Sequence, residues 1–375
     1  MTNFKFNLRN VLAIAICLAA TMMFSGCDPD DLNGNTPDTV FNFTNVSNTG
    51  FDYSINAITY GKGLFVAVGG LTSSGQDAHP ETAWSADGIN WTKGVIGGKW
   101  PLYDLTYGNY NGGRFVAVSW IQLDYFNGHA EGIYCSDDGK EWTTLMLLPA
   151  ENWIGISFEG ITYGNGKYVA VGNKVNSDYS MSAAILYSTD GENWLHANTS
   201  CFNERYNYVY DIHWNGEKFI ATANYERLAS STDGINWTIV KGSNGHSSDN
   251  ANCVMYGGNC WVAGADDNPL YTSPSGNSGT WTTIPNNFKG SVTAITYGAG
   301  KFVAGSYGGE IGYSSNGMDW TMVGTNPFRT GNRPQDIIEG IAYGAGRFVV
   351  AGNTNTSNTG DGNSKGRIAC SNIME

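Results

Sequence analysis

One short phrase recurs along this sequence and constrains its fold more than any other feature. It reads Ser-x-Asp-Gly-x-x-Trp. Complete copies begin at Ser85, Ser136, Ser188 and Ser231, and altered copies begin at Ser273, with Ser for Asp and two added residues, and at Ser314, with Asn for Asp. A carboxylate in a tight turn accepts the turn's own backbone N–H groups, and Gly permits positive φ. We therefore predict structural turns, each followed by a tryptophan packed between repeats, rather than a metal or substrate site.

A second phrase alternates with the first and indicates a β-hairpin. Its clearest copy covers residues 161–172, where an Asn-Gly turn joins two short apolar strands. Relatives begin at Ile58, Leu105, Ile212, Val254, Ile295 and Ile341. Aromatic residues flank the turn on both sides in every copy, which predicts a cross-strand aromatic pair. Repeats at intervals of roughly 40 to 55 residues are typical of propellers and solenoids.

Each repeat supplies four strand signals, except the seventh, which reaches Ser371 without a tryptophan strand. Upstream of the first repeat, residues 39–44 alternate like a strand and have no partner of their own. We therefore predict an all-β, seven-bladed β-propeller of four-stranded blades over residues 39–375, with about 48 residues per blade. The N-terminal strand would complete blade seven and close the ring, which removes open sheet edges.

The Ser-x-Asp-Gly-x-x-Trp phrase resembles the Asp-box of sialidase-like propellers, which usually has one more residue between Asp and Trp. The resemblance covers nearly the whole mature chain and implies the propeller fold. It does not extend to chemistry, because a sialidase-like site needs three converging arginines and a Tyr/Glu nucleophile pair, and no such motif is recognisable. Nucleophile elbows, phosphate loops, zinc-binding helices and nucleotide fingerprints are missing from the sequence as well. The sequence therefore favours a protein without catalysis.

Residues 1–26 have the pattern of a secretory signal peptide. Lys5 and Arg9 precede an apolar run over residues 11–24, and small residues follow. The run is shorter than the roughly 20 residues that a transmembrane helix needs. The Ser-Gly-Cys ending resembles the bacterial lipobox, which implies that Cys27 becomes a lipidated N-terminus; an ordinary signal peptide is the alternative. The composition of residues 27–38 predicts a flexible, lipid-anchored tether.

The charge of the chain restricts its partners. The formal net charge is −13, and removal of residues 1–26, which carry two basic and no acidic side chains, leaves −15. A chain this acidic repels nucleic acid and anionic lipid head groups. Membrane attachment would therefore depend on acyl groups such as palmitate. The acidic run after Cys27 resembles the surface-export signals of lipoproteins in the Bacteroides group, which implies an exported protein in the outer membrane and exposed at the cell surface.

Five cysteines remain after the predicted signal peptide and Cys27, and an odd number is a poor disulfide framework. They are Cys135, Cys201, Cys253, Cys260 and Cys370. We interpret them as small buried hydrophobic residues, with a Cys201–Cys253 bridge as the alternative. Neither these cysteines nor the five histidines have the spacing of a metal site.

The two faces of the predicted propeller are expected to differ. First-to-second and third-to-fourth connections share one face, and here they are short and alike. Connections on the other face vary, which favours recognition there. They are rich in aromatic residues, which stack on sugar rings or anchor a protein partner. The candidate binding aromatics are Trp100, Trp120, Tyr125, Trp153 and Tyr208.

Polar residues also begin the first strand of six repeats. They are Asn56, Asp104, Glu159, Asp211, Asn252 and Glu339. We expect the four carboxylates to surround the mouth of the central channel on the variable side. Carboxylates placed this close would have raised pKa values, bind a cation such as calcium, or hydrogen-bond sugar hydroxyls. The alternative is a solvated rim whose members bond loop backbone or trapped water.

These features favour a monomeric, lipid-anchored surface propeller that binds a glycan or an envelope or extracellular protein, with no cofactor. Two alternatives stay open. A carbohydrate-active hydrolase or lyase would use the rim carboxylates, for example Asp104 with Asp211, as acid and base. An envelope assembly scaffold would use the same variable side to hold a large partner.

Overall fold

The computed structural model describes residues 41–71, 78–122, 130–147, 153–202, 208–242, 250–267, 269–324, 327–328, 336–355 and 364–374. The predicted signal peptide, Cys27, the tether and Tyr125 lie outside these residues. The described residues form 28 β-strands and one short 3₁₀ turn, Tyr110–Gly112. Among them, no helix has the length and apolar character needed to span a bilayer.

The strands follow the seven sequence repeats in order. The first four repeats contain β2 (Ser54–Gly61), β3 (Leu64–Leu71), β4 (His79–Ser85) and β5 (Thr92–Lys93); β6 (Leu102–Gly108), β7 (Arg114–Gln122), β8 (Ala130–Ser136) and β9 (Thr143–Leu147); β10 (Trp153–Gly164), β11 (Lys167–Asn176), β12 (Met181–Ser188) and β13 (Leu195–His196); and β14 (Val209–Trp214), β15 (Phe219–Ala223), β16 (Arg227–Ser231) and β17 (Thr238–Lys241). The last three contain β18 (Ala251–Gly257), β19 (Cys260–Ala265), β20 (Leu270–Ser273) and β21 (Thr282–Ile284); β22 (Val292–Gly298), β23 (Lys301–Ser306), β24 (Ile311–Ser314) and β25 (Thr321–Met322); and β26 (Ile337–Gly344), β27 (Arg347–Asn355) and β28 (Ser364–Ser371), with β1 (Phe43–Asn45).

Consecutive strands of each repeat pair antiparallel, so that each repeat is a four-stranded meander. Within the described residues, five repeats form separate four-stranded sheets. Repeats 2 and 3 instead form one eight-stranded sheet, because β10 also pairs with the far end of β7. The sequence did not predict this junction.

The N-terminal strand pairs with the last repeat, as the alternating pattern of residues 39–44 predicted. β1 lies antiparallel to β28, with Phe43 opposite Ser371 and Asn45 opposite Ala369. Phe41, just before β1, is buried and stacks on Tyr313 with ring centroids 4.4 Å apart. The described strand begins at Phe43 rather than at residue 39.

The first strands of the repeats contact one another in sequence order, and β26 also contacts β2. The close approach depends on a glycine at the end of the first strand. A Cβ on Gly61 would lie 2.2 Å from the ring of Tyr107 in the next repeat, and one on Gly344 would lie 2.2 Å from the ring of Tyr60. The same relation joins Gly108 to Tyr163, Gly164 to Trp214, Gly257 to Tyr297 and Gly298 to Tyr343. Neighbouring repeats therefore pack directly through glycine.

The predicted aromatic pairs are formed in all seven hairpins. Their ring centroids lie 4.4 to 5.2 Å apart. The pairs are Tyr60/Phe65, Tyr107/Phe115, Tyr163/Tyr168, Trp214/Phe219, Tyr256/Trp261, Tyr297/Phe302 and Tyr343/Phe348. The second member of each pair is fully buried, which fixes the register of each hairpin.

The repeated Asp-Gly turn has the structural role predicted for it. Asp87 Oδ1 accepts hydrogen bonds from the backbone N–H of Asn90 (2.8 Å) and Ile89 (2.9 Å), and Ser85 Oγ accepts one from Gly88 (2.9 Å). Burial alone would raise the pKa of Asp87, but the hydrogen bonds from Asn90 and Ile89 outweigh it and lower that pKa well below its usual range. Trp91 packs in a core cluster shared by repeats 1 and 7.

The face that carries these turns, called the turn face below, is also linked from repeat to repeat. Residues of a first hairpin donate to a carbonyl in the Asp-Gly turn of the next repeat. The bonds are Lys62 to Asp137 (3.0 Å), Arg114 to Asp190 (3.1 Å), Asn165 to Thr232 (3.0 Å), Lys218 to Ser275 (3.2 Å) and the Cys260 thiol to Asn316 (3.5 Å). The turns therefore serve contacts between repeats.

All five described cysteines are free. Cys135, Cys253 and Cys370 are buried, as predicted, whereas Cys201 and Cys260 are half-buried. The alternative Cys201–Cys253 bridge is therefore not formed. Burial raises the pKa of the Cys253 thiol well above its ordinary value, which keeps it protonated.

Candidate functional site

A β-bulge occurs at the same place in the first strand of every repeat, toward the side opposite the turn face. Each bulge inserts one extra residue between two paired positions, such as between Ile55 and Ala57 in β2. The extra residues are Asn56, Tyr103, Glu159, Tyr210, Asn252, Thr293 and Glu339. Bulges re-aim side chains and are common beside functional sites.

All seven bulge residues line one cavity of about 430 Å³, called the central cavity below. Asp104 and Asp211, each one position after a bulge tyrosine, line it as well. The structure thus brings together the four carboxylates that the sequence placed at the channel mouth. The remaining lining is small or apolar and comes from the same strands.

Asp104 and Asp211 each link two repeats. Asp104 Oδ2 accepts the backbone N–H of Ile161 in repeat 3 at 2.7 Å. Asp211 Oδ2 accepts the N–H of Val254 in repeat 5 at 2.8 Å, and its Oδ1 accepts the N–H of Ile212 at 2.7 Å. These bonds hold both carboxylates in place. They come from strand backbone, whereas the alternative from the sequence had rim members bond loop backbone or trapped water.

The pKa values in the central cavity shift upward. Burial raises the pKa of Asp211 to about 6, against the hydrogen bonds from Val254 and Ile212. Burial and the charge of Asp211 raise the pKa of Asp104 well above its ordinary value. Burial also raises the pKa of Glu339 to about 7, although a hydrogen bond with Asn353 opposes the shift. Asp104, Asp211 and Glu339 therefore carry less negative charge near neutral pH than they would in water.

Glu159 differs from these three carboxylates in its partners. Its Oε1 accepts the hydroxyl of Ser157 at 2.7 Å. No described residue donates to its Oε2. Glu159 lies close enough to influence both cavity tyrosines: burial and its charge raise the pKa of Tyr103, and burial, Asp266 and Glu159 raise the pKa of Tyr210 to about 12.

Three neutral bulge residues hold the cavity wall together, two of them by hydrogen bonds to the next repeat. Asn56 donates to the carbonyl of Leu102 at 2.8 Å, and Asn252 donates to Asp266 at 2.9 Å. Thr293 donates to the carbonyl of Ile338 at 2.5 Å. Thr293, Tyr103 and Tyr210 also line the cavity, but they were not among the residues predicted from the sequence to lie there. Counting back two positions from Ile295 would have found Thr293, because Asn56, Glu159, Asn252 and Glu339 have this spacing.

The structure brings together two of the predicted binding aromatics. Trp100 and Trp120 are both partly exposed, and their ring centroids lie 5.1 Å apart. Tyr208 stacks on Tyr210 at 6.3 Å, and its hydroxyl lies 2.6 Å from the sulfur of Met181. Tyr208 therefore adjoins the central cavity. Trp153 lies at the start of β10, but its side chain is outside the described part of the chain.

The junction between repeats 2 and 3 makes the surroundings of the cavity asymmetric. The end of β7 pairs with the beginning of β10, with Trp120 opposite Ser157 and Gln122 opposite Gly155. The extensions of β11 and β12 continue this sheet, with Val175 opposite Met181. The corresponding connections of repeats 5 and 6 are short: residues 266–269 and 307–310. One side of the cavity therefore carries a four-stranded wall. Among the described residues, the second-to-third connections of repeats 5 and 6 are short, and this side is called the low side below.

The described residues contain no group of three or more His, Cys, Asp or Glu side chains that could hold a metal ion. The bonded positions of Asp104 and Asp211 explain part of this, since their oxygens already accept backbone amides. The calcium alternative from the sequence thus gains no ligand set from these residues.

No family model matches this sequence. A search of curated proteins gives no match either. Several solved structures have a similar fold. YCF48 from Cyanidioschyzon merolae has a TM-score of 0.54 at 12% identity, over 88% of this chain and 98% of that one. YCF48 bound to D1 peptide has a TM-score of 0.56 at 13% identity, over 89% and 97%. The WD40 β-propeller domain of Doa1 has a TM-score of 0.54 at 10% identity, over 87% and 95%. The chain therefore has a β-propeller fold.

Proposed function

We propose that this chain is a seven-bladed, closed β-propeller that is anchored by lipid at the cell surface and binds a polypeptide partner. Seven repeats, the circuit of contacts between first strands and the pairing of β1 with β28 support the blade count and the closure. The lipobox-like residues before Cys27 support the anchor. The anchor would hold the propeller at the membrane while its variable side stays open to partners.

The central cavity is the observation that carries the binding function. It combines aromatic, amide, hydroxyl and carboxylate side chains from all seven repeats in about 430 Å³. Concave sites with a few convergent polar groups are typical of ligand pockets. YCF48, a propeller of similar fold, is bound to D1 peptide in its solved structure, and this supports a polypeptide as the ligand class.

A glycan is a second candidate ligand, favoured by the Trp100/Trp120 pair. Two indole rings at 5.1 Å offer a broad apolar surface to a sugar ring. A carbohydrate-active hydrolase or lyase is a further alternative, favoured by Asp104 and Asp211, whose carboxyl groups line the same cavity and have raised pKa values. Either enzyme class would need one of them protonated as an acid.

The proposed binding is tested by presenting the purified protein to peptide, envelope-protein and polysaccharide arrays. We expect peptides or proteins to bind, and we expect Glu159→Gln to weaken that binding while Glu217→Gln, an exposed change near the turn face, leaves it unaltered. Binding only to polysaccharides, lost in Trp100→Ala, would move the function to glycans. Turnover of a glycan, abolished by Asp104→Asn, would show an enzyme instead.

The lipid anchor is tested separately by cell fractionation and surface labelling. Cys27→Ala removes the only thiol that the lipobox-like pattern offers, so we expect the protein to move from the membrane fraction to the soluble fraction. Persistence in the membrane fraction would contradict lipidation. Protease treatment of intact cells then distinguishes surface exposure from an inward-facing position.

A further inference from the structure

We propose that the central cavity receives a lysine or arginine side chain of the polypeptide partner. This inference rests on the proposed binding function and specifies its ligand. It makes the cavity a docking site for one basic side chain, with the partner's backbone lying across the low side formed by repeats 5 and 6.

The charge of the cavity lining favours a cationic group. Asp104, Glu159, Asp211 and Glu339 all line it, and no Lys, Arg or His is among the described residues that do so. Carboxylates that are partly removed from water without a cation are costly to ionise. An ammonium or guanidinium group placed between them would offset this cost, whereas a neutral or acidic group would not.

The aromatic part of the cavity lining also favours a cationic group. Tyr103 and Tyr210 occupy two of the seven bulge positions, and both feel the charge of Glu159. Tyrosine rings attract cations through their faces, most strongly when water is excluded. Carboxylates and tyrosine rings around one cavity therefore favour a cationic group on an apolar stem, as lysine and arginine provide.

The size and surroundings of the cavity favour a side chain on a polypeptide over a free ion. A volume of about 430 Å³ is at the lower end for ligand pockets and exceeds what one metal ion needs. On the low side, Asp266 adds an acidic side chain and the exposed Tyr307 adds an aromatic one. On the opposite side, the extended strands β7, β10, β11 and β12 form the four-stranded wall. A chain whose side chain enters the cavity can therefore continue over repeats 5 and 6.

The test is a selection from a random decapeptide library displayed on phage, with the purified protein as bait at pH 7.5 and low salt. We expect at least a tenfold enrichment, roughly, of Lys or Arg over Glu at one position. Glu159→Gln and Glu339→Gln should reduce that enrichment about three- to tenfold each. Glu217→Gln removes the same charge near the turn face and should leave the enrichment unaltered.

A second measurement avoids any variant that folds poorly. A selected basic peptide and its norleucine-substituted form are titrated into the wild-type protein at low and high salt. The basic peptide should lose affinity with salt, and the norleucine form should bind about tenfold more weakly. Selection of peptides without a basic preference would overturn this inference and leave the binding function standing. Selection of no peptide would overturn the polypeptide function itself. Binding of glucosamine oligomers in place of peptides would assign the cationic group to a sugar.

Discussion

The aspartates of the Asp-Gly turns and three carboxyl groups of the central cavity have pKa values that shift in opposite directions. Asp87, Asp190 and Asp233 are only lightly buried, and backbone and side-chain amides donate to them, so their pKa values fall. Asp211 and Glu339 lie deeper with fewer donors, so their pKa values rise to about 6 and about 7. The carboxylate group therefore has more hydrogen-bond donors in the Asp-Gly turns than in the central cavity.

The turn-face carboxylates serve folding, whereas the cavity carboxylates lie in the proposed binding site. The turn-face carboxylates satisfy backbone groups of their own turn, and the carbonyls of the same turns accept bonds from the neighbouring repeat, so one phrase serves each repeat with few changes. The cavity positions vary from repeat to repeat, with Asn, Tyr, Glu, Thr and Asp at equivalent or adjacent places. Variation at a geometrically constant position is what a binding site needs, because a single ligand has no seven-fold symmetry.

The largest expected effect comes from breaking the contact between the last and the first repeat. In Gly344→Ala the new Cβ would lie 2.2 Å from the Tyr60 ring, so one of the two strands must move. We expect the free energy of unfolding to fall by about 2–4 kcal/mol, measured by urea denaturation. Gly97→Ala adds a methyl group in open space and should cost far less. Equal losses in both variants would contradict the packing role of this glycine.

A smaller effect is expected at one Asp-Gly turn. Asp233 accepts the backbone N–H of Ile235 and Asn236, both at 2.8 Å, and Asp233→Ala leaves these groups without that partner. We expect a loss of about 1–2 kcal/mol at pH 7 in urea denaturation. Because the folded-state pKa is lowered, this stabilisation is present above the unfolded pKa near 4 and declines as the pH falls below it. A difference from wild type that grows at pH 3 would contradict this account.

The cavity carboxylate Glu339 should show the opposite pH dependence, with a smaller effect. Its folded-state pKa of about 7 exceeds the ordinary value of 4.5, so the folded protein binds the proton more tightly. Stability from this group therefore falls as the pH rises from 4.5 to 7. Glu339→Gln should flatten that slope and gain about 1 kcal/mol at pH 8, measured by urea titrations at several pH values. Asp104, Glu159, Asp211, Tyr103 and Tyr210 line the same cavity, and the raised pKa values of Asp104 and Asp211 would keep part of the slope. If the slope of stability against pH is unchanged in the variant, the other cavity groups, and not Glu339, cause it.

The repeat pattern predicted the strands, the hairpin pairs and the turn chemistry, because glycine, aspartate and tryptophan have strong local roles there. It also placed the four carboxylates together, since charged residues in apolar strands are conspicuous. Tyr103 and Tyr210 were not predicted as cavity residues, because the aspartate after each of them was assigned to that position. Counting back two positions from Leu105 and Ile212 would have found both.

The pairing between repeats 2 and 3 was the feature that sequence reasoning could not supply. The contact between β7 and β10 depends on how far both strands extend past the repeat pattern, and no local signal in residues 120–122 or 155–157 specifies it. Tertiary geometry decides such pairings. The wall beside the cavity is therefore visible only in the three-dimensional arrangement.

The ladder between β1 and β28 has a mechanical consequence. Any tension applied to the segment before Phe41 reaches the propeller through β1, whose three residues are held along β28. A pull directed along the strands would load this ladder in shear, so that its hydrogen bonds would resist together instead of opening one after another. Under the proposed anchoring, the ladder would then keep the first strand in place while a bound partner experiences drag.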